Sequence, residues 1–123
     1  MREKRQKTTK VNSPREFGIW GIENILQELK KELKTLYGGR LKKLILYGSY
    51  ARNEAWKDSD IDIVVLLDGE VLPGKEIERM IDIITDLNLK HNVLLSVYPT
   101  SEKALQKIKS PLLLNIQREG VPI

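Results

Sequence analysis

Apolar side chains recur at Ile22, Ile25, Leu26, Leu29, Leu33 and Leu36, in steps of three and four. That is the spacing of one face of an α-helix, and Gly38-Gly39 supplies a glycine stop at its end. Leu41 to Tyr47 reads as a strand whose apolar run, Leu44 to Tyr47, enters Gly48 as a buried strand enters a turn. Tyr50 to Ala55 has fair helix propensity and is expected to form a short helix. Asp60 to Leu67 opens as polar alternation, continues as an apolar run, and is closed by Asp68-Gly69. After the Pro73-Gly74 turn, the positions Ile77, Met80, Ile81, Ile84 and Leu87 predict a second amphipathic helix. Asn92 to Tyr98 reads as a third strand, stopped by Pro99. Thr100 or Ser101 can cap a following helix with Leu105 and Ile108 inward. Pro111 suits the start of a last helix carrying Leu112, Leu113 and Ile116, with Gly120 at its end. Helices alternating with strands predict a small α/β (α+β) layer structure. No internal repeat or low-complexity segment interrupts it.

The chemistry lies between the first two strands. Ten residues separate Gly48-Ser49 from Asp60-x-Asp62. Glycine lets a backbone approach a ligand closely, and Ser49 adds a hydroxyl and an N–H. Free N–H groups at the start of a helical turn form an anion site, and Arg52 lies in that turn, within reach of a phosphate. In a strand, side chains two apart share a face, so Asp60 and Asp62 point the same way while Ile61 and Ile63 point into a core. Two like charges that close repel unless a cation sits between them. Hard oxygen ligands of this kind suit Mg²⁺, which is held by one or two carboxylates together with substrate phosphates. The candidate groups are therefore Gly48, Ser49 and Arg52 for a nucleotide triphosphate, and Asp60 and Asp62 for metal and catalysis.

Composition narrows the setting. At 123 residues, with 41% hydrophobic and 31% charged positions, the chain fits one globular domain. It has no cysteine, which excludes disulfides and thiolate metal sites. No apolar segment resembles a leader peptide or is long enough to span a membrane, so a cytoplasmic location is expected. The net charge of +4 comes largely from Arg2, Lys4, Arg5, Lys7 and Lys10 in the first ten residues. Residues 1–15 thus read as a basic arm ahead of a near-neutral domain, 16–123. Such an arm is more often simply solvated than bound to RNA.

The stretch Gly48 to Asp62, with Ala51, Ser59 and the apolar run after Asp62, resembles the signature of the DNA polymerase beta-like nucleotidyltransferases. The short chain is similar to the minimal nucleotidyltransferases (MNT) of prokaryotes. Pro111 to Gly120 looks like their closing segment. The resemblance implies a small mixed sheet with helices packed on it, nucleotide binding by Gly48 and Ser49, and Mg²⁺ on Asp60 and Asp62. It also implies transfer of AMP from ATP, or of another nucleoside monophosphate, to a hydroxyl. Minimal members commonly act beside a helical HEPN partner, often a toxin, and some adenylylate a tyrosine of that toxin as its antitoxin. Two departures stand out. Asn53 replaces the usual glycine, a mild change because asparagine tolerates left-handed backbone. No Asp or Glu lies between Asp86 and Glu102, where active members carry a third carboxylate on the later strand; Ser96 is the polar residue there. The alternative to an enzyme is therefore a nucleotide- or partner-binding module that neutralises a HEPN protein by covering it.

Other residues read more plainly. His91 is a loop residue with no second histidine or cysteine to form a metal set. Trp56, Tyr50 and Tyr98 could each stack on a base or pack. Arg118 and Glu119 are expected to pair with each other on the surface. Leu112 to Leu114 could be partly exposed and favour a protein partner.

Overall fold

The computed structural model describes residues 19–56, 58–107 and 111–123, with backbone alone for Ile19, Trp20 and Leu112. The expected basic arm, and the expected inward position of Ile108, lie outside these residues. A single 3₁₀ turn, Ile19–Ile22, leads into helix α1, Glu23–Tyr37, which buries Ile25, Leu26, Leu29 and Leu33. Leu36, the last of the periodic series, is exposed instead. Gly38 adopts a left-handed φ of 58° and donates its N–H to Lys34 O, ending the helix as the glycine pair predicts.

Strands β1, Leu41–Tyr47, and β2, Ile61–Leu67, pair antiparallel, with Tyr47 opposite Asp62. Helix α2, Pro73–His91, crosses back to β3, Leu95–Thr100, which pairs parallel to β2. Helices α3, Glu102–Lys107, and α4, Pro111–Glu119, follow, and a two-residue strand β4, Val121–Pro122, closes on β1. The sheet order is β3-β2-β1-β4. This is the small mixed sheet with packed helices that the family resemblance implies.

β2 is buried on both faces, as an internal strand of nearly continuous apolar sequence should be. One face, with Ile61, Ile63, Val65 and Leu67, packs against α1 and α2 through Leu29, Leu33, Met80 and Ile84. The other, with Val64 and Leu66, meets Ile116 of α4, flanked by Ile45, Tyr47, Tyr98 and Leu105.

Three elements differ from expectation. The third strand starts three residues late, because Asn92 takes a left-handed φ of 53° as the cap of α2, and it runs through Pro99. Proline is tolerated there because β3 is the outer strand of the sheet, where a missing N–H costs no ladder bond. In α2, Ile77 and Ile81 are exposed while Glu76 is buried, 3% accessible. Glu76 accepts from the Tyr37 hydroxyl at 3.0 Å and from Arg40 Nη2 at 2.9 Å, and Arg79 lies 3.6 Å away. Arg40 also donates to Asp68 O and Glu70 O. A buried carboxylate is tolerable only with such partners. Here the cluster ties the end of α1 and the start of β1 to the start of α2 and the β2–α2 loop. Burial and Glu76 together push the Tyr37 phenol up to about 12. The third difference, a turn where a helix was expected, lies in the site itself.

Candidate nucleotide and metal site

The groups singled out by spacing run from the end of β1 into the start of β2. Gly48 leaves β1 with a left-handed φ of 76°, which an L side chain adopts only under strain. A Cβ at this position would overlap Asp62 Oδ2, so the carboxylate of β2 lies directly against the glycine backbone. The Tyr47–Asp62 register accounts for this: Gly48 is the next residue along, and only hydrogen faces the acid. Glycine is required here twice over, by backbone and by space.

A single helical turn follows rather than the expected helix over Tyr50 to Ala55. Arg52 N–H donates to Gly48 O at 3.1 Å and Glu54 N–H to Ser49 O at 2.8 Å. Asn53 then takes a left-handed φ of 61°, and the turn ends. Asparagine thus occupies the conformation that a glycine would have served. Tyr50 plugs the turn into the main core, 4% accessible, which decides for packing over stacking. The N–H groups of Ser49, Tyr50 and Ala51 precede the first bond of the turn and have no backbone partner among the described residues. They are the free donors that an anion site requires.

Asp62 continues the alternation of β2, on the same face as Val64 and Leu66, while Ile61 and Ile63 enter the α1–α2 core. Asp60 stands just ahead of the strand and is exposed. Burial first, and the nearby Asp60 charge second, push the Asp62 carboxyl above its ordinary range, while Arg52 pulls it down. A divalent cation between the two acids would relieve that repulsion, so the donor set fits Mg²⁺. Across the parallel register Asp62 lies opposite Ser96. Among the described residues no third His, Cys, Asp or Glu gathers with the pair. Ser96 is therefore the residue beside Asp62 on β3, the strand on which the family resemblance implies a third carboxylate.

Arg52 stands beside the acids but is held elsewhere. Its Nε donates to Glu54 Oε1 at 2.8 Å and its Nη1 to Glu119 Oε2 at 3.2 Å. The expected Arg118–Glu119 pair gives way to this long-range one. Trp56 is 68% accessible, so it does not pack; its N–H donates to Ser59 Oγ at 2.7 Å, closing the loop that leads to Asp60. His91, the last residue of α2 rather than a loop residue, bonds Glu28 at 2.7 Å as a structural partner. Spacing alone missed Tyr47. It lies opposite Asp62 across the sheet, and burial first, then Asp62 and Tyr98, push its phenol up. The signal was its position directly before Gly48, opposite Asp62. An open cleft of about 840 Å³ at the other end of the sheet carries both signs of charge, Lys42, Lys103 and Lys107 against Asp68, Glu70 and Glu102, and none of the groups above.

Comparison with known proteins identifies the family. The sequence model of the nucleotidyltransferase domain matches residues 26–116. The chain belongs to the nucleotidyltransferase family. A Methanocaldococcus jannaschii protein with the provisional name protein adenylyltransferase is 37% identical over 99 residues, covering 80% of this chain and 93% of that one. Protein adenylyltransferase MntA of Thermococcus cleftensis is 35% identical over 80 residues, 58% of this nucleotidyltransferase and 77% of MntA. Among solved structures, a toxin–antitoxin crystal structure with AMP-PNP superposes with a TM-score of 0.57 at 19% identity, over 81% of this chain and 70% of that one. A mutant MntA–HpeT toxin–antitoxin complex gives 0.54 at 20%, over 82% and 70%. These superpositions show a shared fold. No helix among the described residues is long and apolar enough to cross a membrane.

Proposed function

We propose that this nucleotidyltransferase moves AMP from ATP to a side-chain hydroxyl of a HEPN-type partner protein, acting as the antitoxin of a cytoplasmic pair. The observation that carries the reading is the closure of Gly48 onto Asp62, which sets a phosphate turn and a paired-carboxylate face side by side at one end of the sheet. The names of the relatives supply the adenylyl group and the protein acceptor.

In this reading the N–H groups of Ser49, Tyr50 and Ala51, with the Ser49 hydroxyl, cradle the β- and γ-phosphates. Arg52 presents Nη2, which neither Glu54 nor Glu119 occupies, toward the same charge. Asp60 and Asp62 would hold Mg²⁺, which would supply charge to polarise the α-phosphate and to stabilise the departing pyrophosphate. The acceptor oxygen forms a bond to the α-phosphorus as the bond to the β-phosphate oxygen breaks. Trp56, exposed at the rim, offers an aromatic face to the base.

The place of Ser96 beside Asp62 favours one second reading, in which two carboxylates are too few and the domain neutralises its partner by covering it. Label transfer from α-³²P ATP to the HEPN partner, with Mg²⁺, separates the two. Label lost in an Asp60→Asn/Asp62→Asn double variant supports the enzyme. No label, with neutralisation intact in the variant, supports the binding module and refutes the transferase.

A further inference from the structure

Arginine beside two aspartates ordinarily pairs with them, since its planar fork matches a carboxylate and the pairing relieves repulsion between the acids. Arg52 starts one turn from Gly48, its N–H bonded to Gly48 O, and the Gly48 backbone lies directly against the Asp62 carboxylate. Yet its side-chain hydrogen bonds among the described residues go to other acids, Glu54 at 2.8 Å and Glu119 at 3.2 Å.

Glu119 comes from 67 residues away, and its place is set by backbone. It is the last residue of α4. Gly120 follows where a Cβ would collide with Ile116 O and the Ile45 side chain, and its N–H donates to Ile116 O at 2.9 Å. β4 then pairs with β1 at Ile45 and Leu46, two residues short of Gly48. The closing segment thus delivers one carboxylate to the rim of the phosphate turn. The Arg52 and Glu119 side chains are 37% and 29% accessible. Pairs this exposed contribute little to stability, so the contact is better suited to aiming a side chain than to holding the fold.

We propose that Glu119, with Glu54, is a positioning residue that keeps the Arg52 guanidinium off Asp60 and Asp62, leaving those carboxylates free for a divalent cation. Without Glu119, Arg52 turns onto the aspartates and competes with the metal as an internal cation. The inference rests on the metal-site reading of Asp60 and Asp62 and adds the control of that site by the closing segment.

Manganese binding, read by electron paramagnetic resonance on the full chain, tests it without any transfer reaction. Glu119→Gln keeps the shape of the side chain and removes the charge. It is expected to weaken Mn²⁺ binding on the order of three- to fivefold, the scale of one exposed ion pair. Arg52→Gln binds at least as tightly as the unaltered protein, and Arg52→Gln/Glu119→Gln returns to the Arg52→Gln level, because the competing cation is gone. Unchanged binding in Glu119→Gln, or a double variant as weak as Glu119→Gln alone, overturns the inference. A purely structural tether would lower the Tm of Glu119→Gln and receive no relief from Arg52→Gln. Mn²⁺ binding that survives Asp60→Asn/Asp62→Asn overturns the metal site itself, and this inference with it, an outcome distinct from the first two.

Discussion

Replacing Gly48 by alanine separates backbone strain from chemistry, because the chain provides its own control. Gly48 and Gly69 both hold a left-handed φ, 76° and 82°. A Cβ at Gly69 meets nothing within 4 Å, whereas one at Gly48 falls on Asp62. Forcing an L side chain into that region costs about 1–2 kcal/mol, or roughly 4–10 °C of Tm in a domain of this size. Gly69→Ala should show that loss and nothing else. Gly48→Ala should show at least as much, and must also displace the Asp62 carboxylate. Misplacing a reacting group by about 1 Å can cost on the order of a hundredfold in rate. The assays are thermal unfolding of both variants, Mn²⁺ binding, and the rate of label transfer from α-³²P ATP. Transfer and metal binding in Gly48→Ala within threefold of Gly69→Ala would refute the claim that this glycine exists to let Asp62 close.

Glu76→Gln should cost about 2 kcal/mol near neutral pH, one or two hydrogen bonds to a charged group, measured by urea unfolding. Burial raises the Glu76 carboxyl, but the hydrogen bonds from Arg40 and Tyr37 outweigh it and leave its pKa below the usual 4.5. Its stabilisation is therefore complete above that value and lost as pH falls through the lowered one, so the gap to Gln must narrow on acidification; a constant gap would exclude the ionised carboxylate as the cause. Gly120→Ala should push the closing segment off β1 at a cost of about 1–3 kcal/mol, seen as faster exchange of the Ile123 amide, which now donates to Leu44 O at 2.9 Å. Trp56→Ala should leave Tm within roughly 2 °C, the range of a surface change, while raising the KM for ATP; a large fall in Tm would mean that the ring packs.

What could be read ahead of the structure was whatever a local pattern controls. The α1 face, its Gly38 stop and both strands around the site follow from periodicity and turn chemistry. So does Ser101, whose hydroxyl accepts from Ala104 N–H at 3.1 Å. Illegible parts depended on distant chain. Tyr50 to Ala55 has the propensity for a helix, but Tyr50 is pulled into a core built by other elements and Asn53 turns left-handed, so one turn is all that forms. The burial of Glu76 has no local signal, because its partners, Tyr37 and Arg40, lie 39 and 36 residues away. Pro99 looked like a stop because nothing local reveals that β3 lies at the edge. β4 is two residues long, too short for any periodicity, and exists through its pairing with β1. Glu119 was paired with its neighbour Arg118 for the same reason: proximity in sequence was the sole guide.

The burial of β2 on both faces divides the candidate site into two regions of unequal durability. Asp62 is part of the internal strand, whose amides should exchange with solvent only when the whole domain opens. Gly48 to Trp56 is held by a few turn hydrogen bonds, the small buried anchors Tyr50 and Ala55 and the exposed Arg52–Glu119 pair, so its amides should exchange through local opening at far lower free energy. A nucleotide would therefore meet one rigid wall and one that can breathe. Saturating ATP should slow exchange in the turn while leaving the Asp62 strand unchanged.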